Sequence, residues 1–440
     1  MIKKTPKISL YKGSLLTFST SCATFIIGMA SSIILARYLG PEGKGVVTLT
    51  LMFPPILMMM STFGVEVSNV YFVGSKKYSV RDIAATSLIL SVALGSMAVL
   101  FFLLVYAFPQ FRYFLDQNKV PHFYLWVSVF SVFFNLANVF FRNILLGKEE
   151  IAKMNLLSIV GVFINFLSVI VLMVILNLGV AGAVWSFVLT SIITGAISVY
   201  FVFKQVPFKL GFNFELFYAS IKYGGKAYIG NLAQFLNYRF DIFLVAFYLG
   251  PVAVGLYGVA VGLAERLWMI PSSMATVLFP RIASSTEAEA NSITPKMARH
   301  TLLIVSLASI VLFVFSKKLI NLLFGAEFEG ATSALVMLLP GIVALSLCKV
   351  LTSDLAGRGK PQFGMMAAFV SLAMNIPLNI ILIPRVGIVG AAFASSVAYI
   401  VSTIIVLIFF LRMSDTKLAD ILLIKKIDLE LFRETCFRKV

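Results

Sequence analysis

The sequence predicts an all-α membrane protein of about twelve transmembrane helices, arranged as two parallel six-helix bundles. Three observations predict it. Of 440 residues, 60% are hydrophobic and 12% charged, with a mean hydropathy of +0.98, whereas the apolar share of a soluble domain is about half or less. Apolar runs of about 20 residues, the length that crosses a hydrocarbon core, recur along the chain with short polar links between them. The second half also repeats the first at an offset of about 210 residues.

The first six spans fall near 14–36, 46–73, 83–108, 122–146, 154–176 and 179–203. The second six fall near 225–249, 252–280, 300–324, 331–356, 362–384 and 387–411, with the shortest links at Gly179, Pro251 and Gly387. An even number puts both termini on one side, and Lys and Arg in short loops are retained in the cytoplasm. Lys3, Lys4, Lys7, Lys76, Lys77, Arg81, Lys148, Lys153 and the basic residues of the later even-numbered links and the tail share one side. Only Arg37, Lys44, Arg112, Lys119, Lys317, Lys318 and Arg385 face the other. Both termini are therefore expected in the cytoplasm, with the chain in the inner membrane. The organisation reads as an N-terminal bundle (1–203), a cytoplasmic linker (204–224), a C-terminal bundle (225–411) and a basic tail (412–440) that mixes apolar and charged residues in a way suited to a membrane surface.

That asymmetry accounts for the net charge of +17, because a basic cytoplasmic face meets anionic lipid head groups. There is no basic patch interleaved with aromatics, so no nucleic-acid partner is expected. The N-terminal MIKKTPKISLYKG lacks a small-residue cleavage site and reads as a retained lead-in. Cys22 and Cys348 lie in apolar runs and Cys436 in the tail, a pattern of neither disulfides nor metal ligands. With no P-loop, no HExxH and only His122 and His300 as histidines, an ATP-driven pump and a membrane metalloprotease are disfavoured, and a membrane glycosyltransferase or polymerase would usually show a sizeable extramembrane loop that this chain lacks.

The repeat is carried by Tyr38-Leu39-Gly40-Pro41 against Tyr248-Leu249-Gly250-Pro251, Leu178-Gly179-Val180-Ala181-Gly182-Ala183 against Val386-Gly387-Ile388-Val389-Gly390-Ala391, and Gly147-Lys148 against Gly359-Lys360. Because each half holds an even number of spans, the halves are parallel repeats about an axis along the membrane normal, and the substrate path is expected between them.

In lipid, polar stripes mark the helix faces turned toward protein or water. The first span carries Ser14, Thr17, Ser21, Thr24, Gly28 and Ser31 at helical spacing; the seventh carries Asn231, Gln234, Tyr238 and Asp241 at the repeat-equivalent positions. Similar faces appear as Thr62, Glu66 and Asn69, as Glu265, Ser272 and Thr276, and as Ser131, Asn135, Asn138 and Arg142. Ser21, Thr24, Asn69, Asn138, Asn231, Gln234 and Tyr238 are the expected cavity lining. Each polar residue could equally serve to join two helices. Prolines 54, 55, 271 and 377 fall inside spans and permit kinks.

Glu66, Arg142, Arg239, Asp241, Glu265, Arg266, Lys349 and Asp354 are the ionisable residues inside spans, where a charge costs about 2.5–3.5 kcal/mol near the bilayer centre and needs a partner or water. Arg142 and Asp354 lie close enough to span ends to snorkel. Arg239 and Asp241 diverge by about 200° on their helix, so their partners come from other helices. The basic and acidic members balance, so charge alone does not mark the path as anion-selective.

Taken with their order, ARYLGPEGKGVVTL, FDIFLVAFYLGPVAVGLYGVA, MATVLFPRIAS, AGRGKPQ and VGIVGAAFASSVAYI make the chain resemble the multidrug/oligosaccharidyl-lipid/polysaccharide (MOP) exporter superfamily, in its polysaccharide transporter branch with the Wzx-type O-antigen flippases. The resemblance implies a MATE-like fold and translocation of an undecaprenyl-pyrophosphate-linked oligosaccharide across the inner membrane by alternating access. It implies as partners the lipid-linked substrate, membrane lipids, a coupling H+ or Na+, and polysaccharide polymerase and chain-length proteins, and no cofactor. The head-group contacts are expected from Arg142, Arg239, Arg266 and Lys349, since guanidinium and ammonium groups bind phosphate. Glu66, Asp241 and Glu265 are the expected coupling residues, and Asp241 matches a family motif position. A drug/cation antiporter of the same fold, a flippase for the peptidoglycan lipid precursor and a membrane enzyme of polysaccharide assembly are the alternatives. The lipid-precursor flippases carry arginines in the first span, and this chain has no deep charge there.

Overall fold

The computed structural model describes residues 10–208 and 210–423, with the backbone alone for 10–18, 226 and 227. Lys3, Lys4, Lys7, Cys436 and most of the basic tail lie outside the described residues, as do the side chains of Ser14 and Thr17. Every regular element among the described residues is helical, as the bilayer requires of a chain whose backbone groups find no water.

The chain packs as two compact units, residues 1–232 with 250–255, and residues 233–249 with 256 onward. The first contains α1 (Leu10–Ser61), α2 (Val65–Ser75), α3 (Val80–Ala107), α4 (Pro109–Gln117), α5 (His122–Phe130), α6 (Val132–Gly147), α7 (Ile151–Ser168, continued by a π-helical turn at Val169–Ile175) and α8 (Gly179–Phe203). The long α9 (Phe214–Leu249) and α10 (Pro251–Glu265) each contribute to both units. The second continues with a 3-10 turn at Arg266–Trp268, α11 (Met269–Ala283), α12 (Glu287–Leu323), α13 (Ala331–Gly357), α14 (Gln362–Val386), α15 (Ile388–Met413) and the short α16 (Leu418–Leu422).

Ten helices among the described residues are long and apolar enough to cross a membrane. The twelve expected spans map onto them once two features are recognised. The run Ser19–Ser61 holds two spans that meet at Gly40, whose φ of 64° and ψ of −177° break the helix, and Pro41 follows as a pre-formed first helical residue. The seventh span is α9, long enough at 36 residues but carrying Lys222, Lys226, Arg239 and Asp241. Residues 214–224, expected in the linker, form the opening turns of this helix. The second span is not continuous: Thr62, Phe63 and Gly64 interrupt it, with Gly64 at φ 80°. The eighth tightens to the 3-10 turn at Arg266–Trp268. The second and eighth spans, which correspond in the two repeats, are both interrupted, a placement that transporters use at their sites.

Within each unit the helices pack in matching ways. In the first, α6 lies against α8 and α2; in the second, α13 lies against α15 and α11. Gly147 of α6 sits where a Cβ would come within 2.7 Å of Val73 Cβ, and Gly357 of α13 where one would come within 2.9 Å of Ile282 Cβ. Gly147 therefore pairs with Gly357, not with Gly359, which moves this part of the repeat onto the common offset. The left-handed Glu149 (φ 60°) and Gly359 (φ 76°) agree, as do Gly40 and Gly250. Close backbone approach of this kind gains dispersion contacts, the main drive for association where lipid tails are as apolar as leucine. α13 is apolar all round and buries residues on every face, from Ala334 and Leu335 to Val350 and Leu351. The outer faces of α3 and α12, with Leu100, Leu104, Ile310 and Val314 exposed, present the lipid-facing surface.

Candidate functional site

The second unit gathers most of the charge buried in spans, at the level where α10 gives way to the 3-10 turn. Arg239 of α9 meets Glu265 as a fork on a fork, with Nη1 3.2 Å from Oε1 and Nη2 3.2 Å from Oε2. Two residues on, and on another face of α9, Asp241 is 2% exposed. Its Oδ2 accepts from Tyr257 Oη at 2.6 Å and Ser395 Oγ at 3.0 Å, and its Oδ1 from the Ile242 amide at 2.7 Å. The divergence expected from helical geometry is what separates these two environments. A small cleft, with room for about one water, lies beside them, lined by Asp241, Tyr257, Glu265, Trp268 and Tyr399 with apolar Val261, Ala264, Leu338 and Ile342.

Lys349 of α13 has a different setting. Its Nζ lies 4.6 Å above the centroid of the Trp268 ring and 3.3 Å from Ser272 Oγ. Trp268 stacks obliquely on Tyr238 at 4.6 Å, and both rings meet Tyr399 edge-on. The 3-10 turn is what brings Trp268 round to this position, since it changes the angular step between Glu265 and the start of α11.

A polar ladder continues the cluster. Asn237 Nδ2 donates to Ser371 Oγ at 2.9 Å, Asn375 Nδ2 donates to Asn237 Oδ1 at 2.9 Å, and Asn379 Nδ2 donates to the Asn375 carbonyl at 2.9 Å and also meets Asn375 Oδ1. All four side chains are at most 1% exposed. α9 and α14 are odd-numbered spans and run the same way, so one turn beyond the Asn237–Asn375 contact Asp241 and Asn379 stand at one level. The Oδ1 of Asn379 is buried without a hydrogen-bond partner.

In the first unit, Arg142 Nη2 donates to Ser158 Oγ at 2.6 Å. Asn69 is 2% exposed and donates to Ser87 Oγ at 2.9 Å and the Phe140 carbonyl at 3.4 Å. It joins three helices. Asn138 reaches Thr194 Oγ1 at 3.5 Å. Glu66 opens α2, with Oε2 buried and lacking a hydrogen-bond partner. In the first-span stripe, Thr24 Oγ1 donates to the Ser21 carbonyl at 3.0 Å and Ser31 Oγ to the Ile27 carbonyl at 3.1 Å, both within the helix.

The structure thus brings Arg239, Asp241, Glu265, Arg266, Lys349, Gln234 and Tyr238 into one unit, and places Arg142, Glu66, Ser21, Thr24, Asn69, Asn138 and Asn231 in the other. Arg239 takes its partner, Glu265, from another helix, as expected, and one expectation changes. Asp354 does not snorkel: it is fully buried, accepting from Thr294 Oγ1 and Arg358 Nε, each at 2.7 Å. Sequence reasoning missed Tyr257, Trp268, Asn375, Asn379 and Ser395. The i,i+4 spacing of Asn375 and Asn379 was the available signal; no local pattern points to Tyr257 or Ser395, which act across helices.

A broken-helix, charge-bearing, multi-span bundle of this kind defines a membrane transporter. The family profile described as polysaccharide biosynthesis protein matches residues 10–286, and that of the lipid II flippase MurJ matches residues 155–431. The chain belongs to the polysaccharide biosynthesis protein family, within the MOP superfamily. Among curated relatives, a Haloferax volcanii protein named "Probable low-salt glycan biosynthesis flippase" is 27% identical over 42% of this chain and 40% of its own length. A Shigella flexneri protein named "Putative O-antigen transporter" is 21% identical over 92% of this chain and 99% of its own length. Among solved structures, lipid II flippase MurJ in an inward closed conformation superposes with a TM-score of 0.76, at 17% identity, over 97% of this chain and 94% of that one. An inward-facing MATE multidrug resistance transporter of the MOP superfamily gives 0.70 at 16% identity over 91% and 98%. At these identities the structural likeness concerns the fold.

Proposed function

We propose that the protein is a flippase that carries a lipid-linked oligosaccharide across the membrane by alternating access, the sugar and diphosphate entering a polar path while the isoprenoid tail stays in lipid. The finer reading is an undecaprenyl-pyrophosphate-linked repeat unit of O-antigen or another surface polysaccharide. It would pass from the cytoplasmic to the outer leaflet of the inner membrane, with both termini cytoplasmic, for polymerase and chain-length proteins to use. The near full-length alignment with the Shigella relative supports the class. The observation that carries the head-group assignment is Lys349, an ammonium inside a span with no carboxylate within ion-pair distance among the described residues, held by an aromatic face and a hydroxyl. Such a cation is a substrate site by default. Arg142, Arg239 and Arg266 are further head-group candidates, Arg239 after release from Glu265.

For coupling, Asp241 is the residue the geometry favours among Glu66, Asp241 and Glu265. A buried carboxylate level with the unpartnered Asn379 Oδ1 and beside two hydroxyls is an all-oxygen set suited to Na+ or a proton. The action proposed is transport, with no chemical step. The test is a deletion strain: loss of the gene should leave lipid-linked oligosaccharide on the cytoplasmic leaflet, and wild type but not Lys349→Met should restore surface polysaccharide. Full restoration by a normally expressed Lys349→Met would refute the head-group assignment. A drug/cation antiporter is the second reading, favoured by two carboxylates, Asp241 and Glu265, lining one cleft; export of a cationic dye in place of complementation would establish it.

A further inference from the structure

We propose that Trp268, Ser272 and Lys349 form one oxyanion subsite, with Trp268 as its positioning residue and the phosphate oxygens of the translocated lipid as its ligand. The inference rests on the flippase reading and adds to it which groups hold the head group and in what order they act.

Lys349 carries three N–H donors. The Trp268 face at 4.6 Å and Ser272 Oγ at 3.3 Å engage two of them, and neither neutralises the charge. Ser272 keeps its own hydroxyl proton for another acceptor. The indole Nε1 of Trp268 is buried and has no hydrogen-bond partner, which is costly for a donor withdrawn from water. An ammonium and a hydroxyl, each with unspent donor capacity, are thereby collected across the Trp268 ring, whose own N–H is buried and meets a ligand only if the ring shifts. That inventory complements a tetrahedral oxyanion, which offers several acceptors around a compact charge, and Lys serves phosphate as a point charge.

The aromatic face has a second role. Inside a bilayer the ammonium needs compensation when no substrate is bound, and a tryptophan quadrupole supplies part of it where no carboxylate is in ion-pair contact. A carboxylate partner would have to be displaced by phosphate; an indole face need not be. Arg239, already forked onto Glu265, shows the alternative in the same unit. Tyr238, 4.6 Å from Trp268 on the ring system, keeps the indole from rotating away.

The chain contains three tryptophans, the others being Trp126 and Trp185, so Trp126→Phe/Trp185→Phe protein reports on Trp268 alone. Full-length protein in detergent is titrated with undecaprenyl diphosphate, inorganic diphosphate or glucuronate while Trp268 emission is followed. Both diphosphates should change the emission saturably, Lys349→Met should abolish the change, and glucuronate should leave it unaltered. In vesicles loaded with lipid-linked oligosaccharide, Trp268→Leu should raise KM about 2- to 30-fold, the range of a cation–π contact, with a smaller effect on kcat. Trp268→Phe should recover part of it. Diphosphate leaving Trp268 emission unchanged, a response to glucuronate alone, or wild-type KM in Trp268→Leu would each overturn the subsite. Diphosphate binding without any transport of lipid-linked oligosaccharide would instead remove the flippase reading and leave the subsite standing.

Discussion

Replacing Gly45 by alanine should disfavour the conformation seen here and loosen two segments at once. A Cβ built on Gly45 falls 1.7 Å from the Pro251 carbonyl oxygen, and one built on Gly255 falls 1.9 Å from the Pro41 carbonyl oxygen. Gly45 and Gly255, like Pro41 and Pro251, are repeat equivalents, so the first turns of two duplicated helices cross face to face within the first unit with no side chain between them. Ordinary van der Waals contact begins near 3.4 Å, so a methyl requires the backbones to part by more than 1 Å, and backbone oxygens cannot turn aside. Overpacking of this severity costs about 1–3 kcal/mol, a population shift of roughly 5- to 150-fold against this state. Hydrogen–deuterium exchange on purified protein would read it: Gly45→Ala should speed exchange in both 41–49 and 251–259, as should Gly255→Ala. Because both methyls meet one crossing, the double variant should fall short of the sum of the singles. Exchange confined to the mutated segment, or an unchanged melting temperature in both variants, would refute the reasoning.

Arg239→Ala strands the Glu265 carboxylate beside the cleft; with Arg239 39% and Glu265 20% exposed, water screens part of the loss, and a cost of about 1–3 kcal/mol is expected, with Arg239→Gln/Glu265→Gln recovering most of it in a melting assay. Tyr257→Phe removes the 2.6 Å hydrogen bond to Asp241 and should lower stability by about 1–3 kcal/mol; a thermal shift indistinguishable from wild type would contradict the assigned bond. In the link before α13, hydrogen bonds from Lys317 and Asn321 hold the Glu329 carboxyl below its ordinary value. The folded link therefore binds that proton less readily than the unfolded chain, so its stabilisation is present above the ordinary carboxylate value and fades as pH falls through the folded one. Protection at 325–330, taken relative to the intrinsic amide exchange rate at each pH, should fall on acidification in wild type and show no such step in Glu329→Gln.

Span positions were legible because length and hydropathy decide them, and the repeat was legible because Gly-Pro breaks recur at its joints. The interruption at 62–64 was not, since Thr62-Phe63-Gly64 lies within an unbroken apolar run and only tertiary contact opens it; Tyr228 Oη, for instance, donates to the freed Met60 carbonyl at 2.9 Å. The start of α9 at Phe214 was hidden by the polar, aromatic composition of 214–224, which reads as link but packs as helix. At the site, depth in the span singled out Arg239, Asp241, Glu265 and Arg266, which lie in one unit with Lys349. Which of them is neutralised, and by whom, depended on neighbours supplied by other helices.

The repeat also shows where the two halves of the sequence have diverged, and that divergence bears on function. Val47, Val169, Met173 and Ala183 form one apolar core cluster in the first unit. At the offset of 210, Val47 becomes Tyr257, and Ser31, facing its own helix, becomes Asp241. The same slot is thus filled with hydrocarbon in one copy and with a carboxylate network in the other. The scaffold evidently does not need the polar set, because the first copy packs without it, and apolar replacement of a buried ionic network is often neutral or stabilising by about 1–4 kcal/mol. Polar groups kept at such a cost are where function is to be sought. Removing the polar set at matched volume, as Asp241→Leu/Tyr257→Phe/Asn379→Leu, should therefore give a protein that melts no lower than wild type and fails to restore surface polysaccharide. A triple variant that transports normally would show that the network serves the fold alone, and one that fails to fold would show that the two slots are not equivalent.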